Sequence, residues 1–470
     1  MSRADKTIIN LFFSVITVIL LSNSSYAKSS DPAQPIDLFQ ALTHTYNNNP
    51  NLQEALEQLK AAGTNVYKAS AEFLPSIAAG IDRGRDYQNI KVKNIPSNQL
   101  NGPISADSIQ VKQPIFSSGS SVFGVKASKK AFFANVASFY NTEQQVLLSA
   151  IQAYIGVLYA KESLDINIYN VQMLAKALQY AEERFEVGDA TRSDVAESKS
   201  QLSSALASKA QAEGDYEIAK AKYKQVIGIE PANLAMIQEI NNLPLNLRDL
   251  VEIASNNHPV VISARLNMDS KKDLLVRSKL GILPSASINA SVARQDNNTL
   301  NNAAQRVIQK VIDKKVMLNV QIPIYQSGLE YMAVRNSKIE VQGSKYTLQK
   351  SREQVIEGVI EAWNKLSSYK EAFKSSSDAV DAASIALDSM KQEEEVGTRT
   401  LLDVLEAEQK LFQAKLRLSN VKYSKVLSTY TLKASVGDLT AQKLKLPVKV
   451  FDTNAYYNKA KKQLIGFSEE

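Results

Sequence analysis

Two stretches decide the fold: EVGDATRSDVAESKSQL, from Glu186 to Leu202, and EVGTRTLLDVLEAEQKL, from Glu395 to Leu411. Laid side by side they share Glu186/Glu395, Val187/Val396, Gly188/Gly397, Thr191/Thr400, Asp194/Asp403, Val195/Val404, Glu197/Glu406 and Leu202/Leu411, each pair 209 residues apart. Chance supplies roughly one identity in such a window, so the match marks an internal repeat. The same spacing holds outward. It sets Pro50 against Pro259, Leu74-Pro75-Ser76 against Leu283-Pro284-Ser285, and Pro114-Ile115 against Pro323-Ile324. Ser118-Gly119 meets Ser327-Gly328, and Gly228 meets Gly437. Residues 28–236 and 237–445 therefore form one structural unit duplicated without net insertion, followed by a tail over 446–470.

Each half reads as a helix, two strands and a long helical hairpin. The first helix stops at Leu-Pro-Ser. Alternation then begins: Ile77, Ala79 and Ile81 against Ser76, Ala78, Gly80 and Asp82, and later Ile109 and Val111 against Ser108, Gln110 and Lys112. In the second half Ile288, Ala290 and Val292 alternate with Ser287, Asn289 and Ser291, and Val316, Leu318, Val320 and Ile322 with Met317, Asn319 and Gln321. A period of two gives a strand with one apolar and one polar face. The polar, Asn-rich segments around 88–105 and 295–315 read as long loops on one side of a membrane. Pro-free stretches follow, from Ile115 to Glu230 and from Ile324 to Leu446, each with one interior turn, at Val187-Gly188 and Val396-Gly397. A helix over 119–187 would be roughly 100 Å long. A coiled-coil hairpin buries such a helix; a globular core of this size does not.

The N-terminus reads as a secretory leader over residues 1–27. Arg3 and Lys6 precede an apolar run from Ile8 to Leu21, and Ser25-Tyr26-Ala27 offers small residues for cleavage. No other segment is long and apolar enough to cross a bilayer as a helix, so a span would have to be a β-barrel. Four strands of about eight to eleven residues suit that role but cannot close, so the barrel must be shared between chains. The chain has no cysteine, which excludes disulfides, thiolate metal sites and a lipid anchor on sulfur. Its two histidines, His44 and His258, lack metal-like spacing and read as surface or capping residues. The net charge of +7 is mild, and its cations are not interleaved with aromatics, so no nucleic-acid partner is expected. The one basic run, Lys443 to Lys462, reads as a solvated terminus. No nucleophile, phosphate loop or metal cluster stands out, and neither an enzyme nor a cofactor is expected.

The segments RFEVGDATRSDV (Arg184 to Val195) and VGTRTLLDVLEAEQKLFQAK (Val396 to Lys415) resemble the two periplasmic tip turns of the TolC family of outer-membrane channel proteins. The Leu-Pro-Ser breaks and the strand-flanking Gln113-Pro114-Ile115-Phe116 and Ile322-Pro323-Ile324-Tyr325 extend the likeness over nearly the whole mature chain. The resemblance implies a mixed α/β membrane protein working as a homotrimer. Helical hairpins would form a periplasmic α-barrel, and four strands per chain a shared 12-stranded barrel in outer-membrane lipid. It implies an exit duct for efflux or type I protein secretion, with a periplasmic adaptor and an inner-membrane transporter as partners. The competing reading is a periplasmic coiled-coil adaptor or scaffold, against which the phased strands and the duplication argue.

Thr191 to Asp194 and Thr400 to Asp403 both fit the capping box that starts a helix, with Gly188 and Gly397 before them suited to chain reversal. Asp194 reads as a cap. Asp403 reads as a cap and more, because Glu406 lies three residues on and shares its helix face. The resemblance places acidic residues of the entrance constriction at Asp403 and Glu406, the adaptor-docking tips at Gly188, Thr191, Gly397 and Thr400, and a gating network at Arg399, Asp194 and Glu394. Arg399 is either a local surface ion pair or a link between neighbouring helices. At Glu394 the best-known members carry a tyrosine, which leaves a Glu394–Arg399 pair as one option.

Overall fold

The computed structural model describes residues 35–92, 95–237, 246–300 and 306–462. The leader expected over 1–27 lies outside them. The first half runs α1 (Leu38–Asn48), α2 (Pro50–Ala71), β1 (Ser76–Val92), β2 (Ile95–Phe116), α3 (Ser120–Glu186) and α4 (Arg192–Ile227). The second runs α5 (Leu247–Asn257), α6 (Pro259–Leu280), β3 (Ser285–Leu300), β4 (Arg306–Gln321), α7 (Leu329–Glu395) and α8 (Leu401–Val436), and α9 (Thr453–Lys462) follows. Helices of the two halves begin and end 209 residues apart, as Leu38 and Leu247 do, or Glu186 and Glu395.

Local chemistry sets these boundaries. Pro50 and Pro259 open α2 and α6, where a missing N–H costs nothing. Asn49 and His258 cap them, His258 accepting from the Val260 amide at Nδ1 over 3.2 Å. His258 is thus the cap expected, though buried, not on the surface. His44 donates from Nδ1 to the last-turn carbonyl of Ile227 at 2.7 Å, closing the C-terminus of α4. Ser118 and Ser327, with φ of 50° and 54°, and the glycines after them carry the chain from strand into long helix.

The four strands form one antiparallel sheet in the order β1-β2-β3-β4. Register defines its faces, because residues directly opposite share one. One row reads Ile77, Val111, Ala290, Val316, and the next Ala79, Ile109, Val292, Lys314. The other face reads Ala78, Gln110, Ser291, Lys315 and Gly80, Ser108, Ala293, Asp313. Ile77, Ile81, Val316, Leu318 and Ile322 are exposed, so the apolar face is bare in the single chain. Pro114, without an N–H, sits at the one bulge between β2 and β3.

The strands are 17, 22, 16 and 16 residues long, well beyond the eight to eleven expected. The Asn-rich segments expected as loops are mostly strand: Asn89 pairs with Gln99, and Gln295 with Val311. In these outer halves both faces of a hairpin are open to water. The ladder persists there on backbone bonds while the apolar alternation that betrays a strand disappears.

The helices α3 and α7 have 67 residues each, about 100 Å. Near the sheet α3 packs on α2 and α6; farther away it packs on α4 and α8. Where these sets meet lies the largest core, built on Leu42, Leu59, Phe132, Leu147, Ile151, Tyr154, Tyr223 and Leu439. Trp363 packs at the border of a second core around Val359 and Leu432. The basic run from Lys443 to Lys462 is not a solvated terminus. Leu446 is buried, Tyr456 donates to the Lys60 carbonyl at 3.0 Å, and the Phe132 and Tyr457 rings lie 5.5 Å apart. Its lysines hide the aromatic side chains that seat it.

Glu143 and Gln144 reach from the middle of α3 to the chain beyond α8. They accept from the amides of Ala441 at 2.6 Å and Leu439 at 3.2 Å. Burial pushes the Glu143 carboxyl up to about 7, the Ala441 amide pulling the other way. With the folded value above the unfolded one, this group contributes stability that is full below pH 4.5 and lost as pH rises through 7. Glu143→Gln keeps the acceptor and removes the charge. Unfolding followed by circular dichroism should show the variant more stable than the parent at pH 8, by about 3 kcal/mol, and equal to it at pH 4. A parent and variant that respond identically to pH would show Glu143 ionised at no cost.

Candidate functional site

The two interior turns lie together at the end of the helices farthest from the sheet. Each is built twice from the same instructions. The α3 and α7 helices end at Glu186 and Glu395, and Gly188 (φ 87°) and Gly397 (φ 78°) turn the chain in the left-handed region open to glycine. The Asp189 amide donates back to the Arg184 carbonyl at 2.8 Å, and the Thr398 amide to that of Glu393 at 2.9 Å. Both expected capping boxes are present. Thr191 receives the Asp194 amide on its hydroxyl at 3.2 Å and gives its own amide to the Asp194 carboxylate at 2.8 Å. Thr400 and Asp403 repeat this at 3.3 and 2.9 Å. These amides, from Thr191 and Thr400, hold the carboxyls of Asp194 and Asp403 below the usual range. Val187 and Val396 stand exposed beside the two glycines, and nothing lies within 4 Å of where a Cβ would sit on either.

Of the two readings of Arg399, the structure shows the local surface ion pair. Glu394 does not pair with Arg399. Its carboxylate, almost enclosed, takes the Arg184 guanidinium of the other hairpin, which also lies 5.5 Å from the Tyr180 ring. Arg399 pairs with Glu393 at 2.8 Å inside its own turn, both groups in solvent. The acidic run Glu393-Glu394-Glu395, unfavourable at a helix C-terminus, is thus relieved by a cation from each hairpin. The repeat carries a sign of this: Arg184 and Glu393 occupy equivalent positions with opposite charge.

Behind the turns the hairpins lock together through Leu405, which is fully buried against Leu174 and Ala205. Above it Lys391 binds Glu408 at 3.0 Å, with the Glu408 side chain nearly buried, and Lys415 lies 5.2 Å from the Tyr169 ring. Sequence reasoning missed Arg184, Lys391 and Glu408. Glu406 is exposed and points away from this packing, as does the partly exposed Asp403. The turns thus hold two carboxylates on an open face and two glycines at the extreme tip, with one cross-hairpin ion pair beside them.

The family described as "Outer membrane efflux protein" matches the chain twice, over residues 41–228 and 250–438, one match per repeat. The Outer membrane efflux protein BepC of Brucella suis biovar 1 is 26% identical over 465 residues, covering 96% of each chain. Outer membrane protein TolC of Escherichia coli K12 is 25% identical over 437 residues, covering 90% of this chain and 87% of that one. Among solved structures, the Campylobacter jejuni CmeC outer membrane channel superposes with a TM-score of 0.76 at 16% identity, over 91% of this chain and 90% of that one.

The two ion pairs at the tip differ in burial, and so should their strength. A double-mutant cycle on Arg184→Gln and Glu394→Gln, read by thermal unfolding, should return a coupling on the order of 1 kcal/mol. The Arg399→Gln and Glu393→Gln cycle should return nothing measurable. The reverse order would place the closing contact inside the second hairpin.

Proposed function

The chain belongs to the outer membrane efflux protein family, and from that premise we propose that three copies form one exit duct through the outer membrane and the periplasm. One observation carries the reading: an open four-stranded sheet with a bare apolar face, joined to hairpins about 100 Å long. In lipid an unpaired strand edge costs several kcal/mol for each backbone group, so β1 of one copy must pair with β4 of another. Two copies would give eight strands and three would give twelve, both even numbers. The family likeness supports three. The reading is of transport and assigns no catalytic step. A periplasmic adaptor or scaffold has no use for the sheet's apolar face.

Within this duct the tips are the periplasmic entrance. Three copies of Asp403 and Glu406 ring it with six carboxylates, which attract cations and bind polyvalent ones. Arg184–Glu394, with Arg399 and Asp194 beside it, restrains the entrance. The exposed surface around Gly188, Thr191, Gly397 and Thr400 meets the adaptor, which links the duct to an inner-membrane transporter.

The assembly is tested by mass in mild detergent, expected to be that of three protomers; a stable membrane-inserted monomer overturns it. In planar bilayers, changing Asp403 and Glu406 together to alanine should abolish cation preference and weaken trivalent block. Glu406→Ala is the cleaner probe, since Asp403 also caps α8. If selectivity and block are unaltered, these side chains do not line the pore. At the tips, Gly188→Val or Gly397→Val should reduce export while trimer and insertion persist, because each forces a β-branched residue into positive φ on the docking surface. Full export in both variants would move docking elsewhere.

A further inference from the structure

Above the apolar band the same face of the sheet changes character. The next two rows are Ile81, Asp107, Arg294, Ile312 and Arg83, Ser105, Asp296, Lys310. With Lys314 one row below, this face carries four cations and two carboxylates over a few residues of height. At the same height the opposite face carries Lys315 against Asp82 and Asp313. The sheet therefore sorts charge by side as well as by height.

The height is informative. From Gln321 at the foot of β4 to Lys314, seven residues of tilted strand rise about 18 Å, and the exposed Ile322 and Ile324 just below carry the apolar band toward the barrel's usual height of about 25 Å. Lys314 thus stands where hydrocarbon ends on the side away from the helices, the cell exterior. A lysine at the bilayer midplane is strongly disfavoured, whereas one at the interface costs almost nothing. Arg83 is paired with Asp107 and Arg294 with Asp296, each at 2.7 Å. Lys310 and Lys314 are exposed and have no ion-pair partner among the described residues. Between them stands Ile312, also exposed, so the outer half of β4 alternates ammonium groups with a side chain that belongs in acyl chains.

We propose that Lys310 and Lys314, backed by Arg83 and Arg294, form a girdle that docks the phosphate groups of outer-leaflet lipids. This rests on the duct reading, which puts the apolar face in lipid. A lysine on an edge strand also discourages stray strand pairing. That role fits poorly here, because the unprotected stretch of β4 is its apolar foot, Val316 to Val320. Closing the barrel as proposed also sets the next copy's β1, with its own Arg83 and Arg85, beside β4, which concentrates the cations at the seam between copies.

The full-length protein in mild detergent can be titrated with dioleoyl phosphatidic acid and, separately, dioleoyl phosphatidylcholine, with bound lipid counted by native mass spectrometry. The parent should prefer the phosphatidic acid, and Lys310→Gln/Lys314→Gln should bind it about tenfold more weakly. The control Lys345→Gln/Lys350→Gln removes the same charge from α7 and should bind as the parent does. Equal loss in both variants would reduce the effect to net charge, and no loss in either would overturn the girdle. Displacement of the lipid by equimolar inorganic phosphate would also overturn it, by making the site one for free anions. Trimer mass and conductance on the same samples separate the two levels. A conducting trimer indifferent to lipid phosphate removes the girdle alone, whereas a parent that neither assembles nor inserts removes the duct.

Discussion

The outer edges of β1 and β4 govern everything else. Each carries backbone N–H and C=O groups with no strand partner among the described residues, and the face between them is apolar and bare. In water that combination invites aggregation, and in lipid it is tolerable only if the edges meet. Closure cannot come from one chain, because four strands cannot curl into a barrel. The need for neighbours then passes down to the helices. Ile218 on α4 and Ile339, Tyr346 and Ile385 on α7 are exposed apolar side chains, left for a neighbour to cover. Sheet and helices are incomplete in the same sense, and the proposed assembly would complete both.

In the proposed trimer, the duplication explains how one chain fits a ring. The two halves share caps, breaks and lengths, so they offer near-equivalent hairpins. They do not share surroundings. The α3 helix packs against α2, α4, α6 and α8, and is buried at Leu147, Ala150, Ile151, Tyr154 and Val157. Its counterpart α7 packs against α5, α6 and α8, and its buried positions are sparse. One long helix is interior to the chain and the other stands at its border. Identical repeats could not satisfy both settings. The sequence keeps the geometry-setting residues, such as Gly188/Gly397 and Asp194/Asp403, and lets the contact residues drift.

That drift decides what could be read in advance. Breaks, caps and turns were legible because they depend on neighbours within four residues: Pro75, Gly188 and the Thr400–Asp403 box act locally. The apolar halves of the strands were legible through their period. Their outer halves were not, because a ladder in water imposes no alternation on Asn89 or Gln295. The tip ion pairs were only half legible. Arg399 was visible, but its partner among three consecutive glutamates depends on where the other hairpin places Arg184, 210 residues away in sequence. The docked C-terminal segment was masked by its own lysines, since charge density says nothing of where Tyr456 and Tyr457 point.

The hairpin tips separate two kinds of stability. Each turn is closed by its own amides and capping box, all spanning five residues or fewer, and these bonds survive any rigid rotation of a hairpin. The hairpins hold each other through longer-range contacts: Leu405 on Leu174 and Ala205, Arg184 on Glu394, and farther up Glu162 with Lys422 and Tyr423 at 2.8 Å. Beyond these the large core around Leu147 and Tyr154 begins, with Glu143 and Gln144 fastened across it. Contacts between hairpins therefore thin out toward the tip while order within each hairpin does not. A body so built can loosen at the tip without unwinding a helix, because the few interactions that yield there are not the ones that shape the turn.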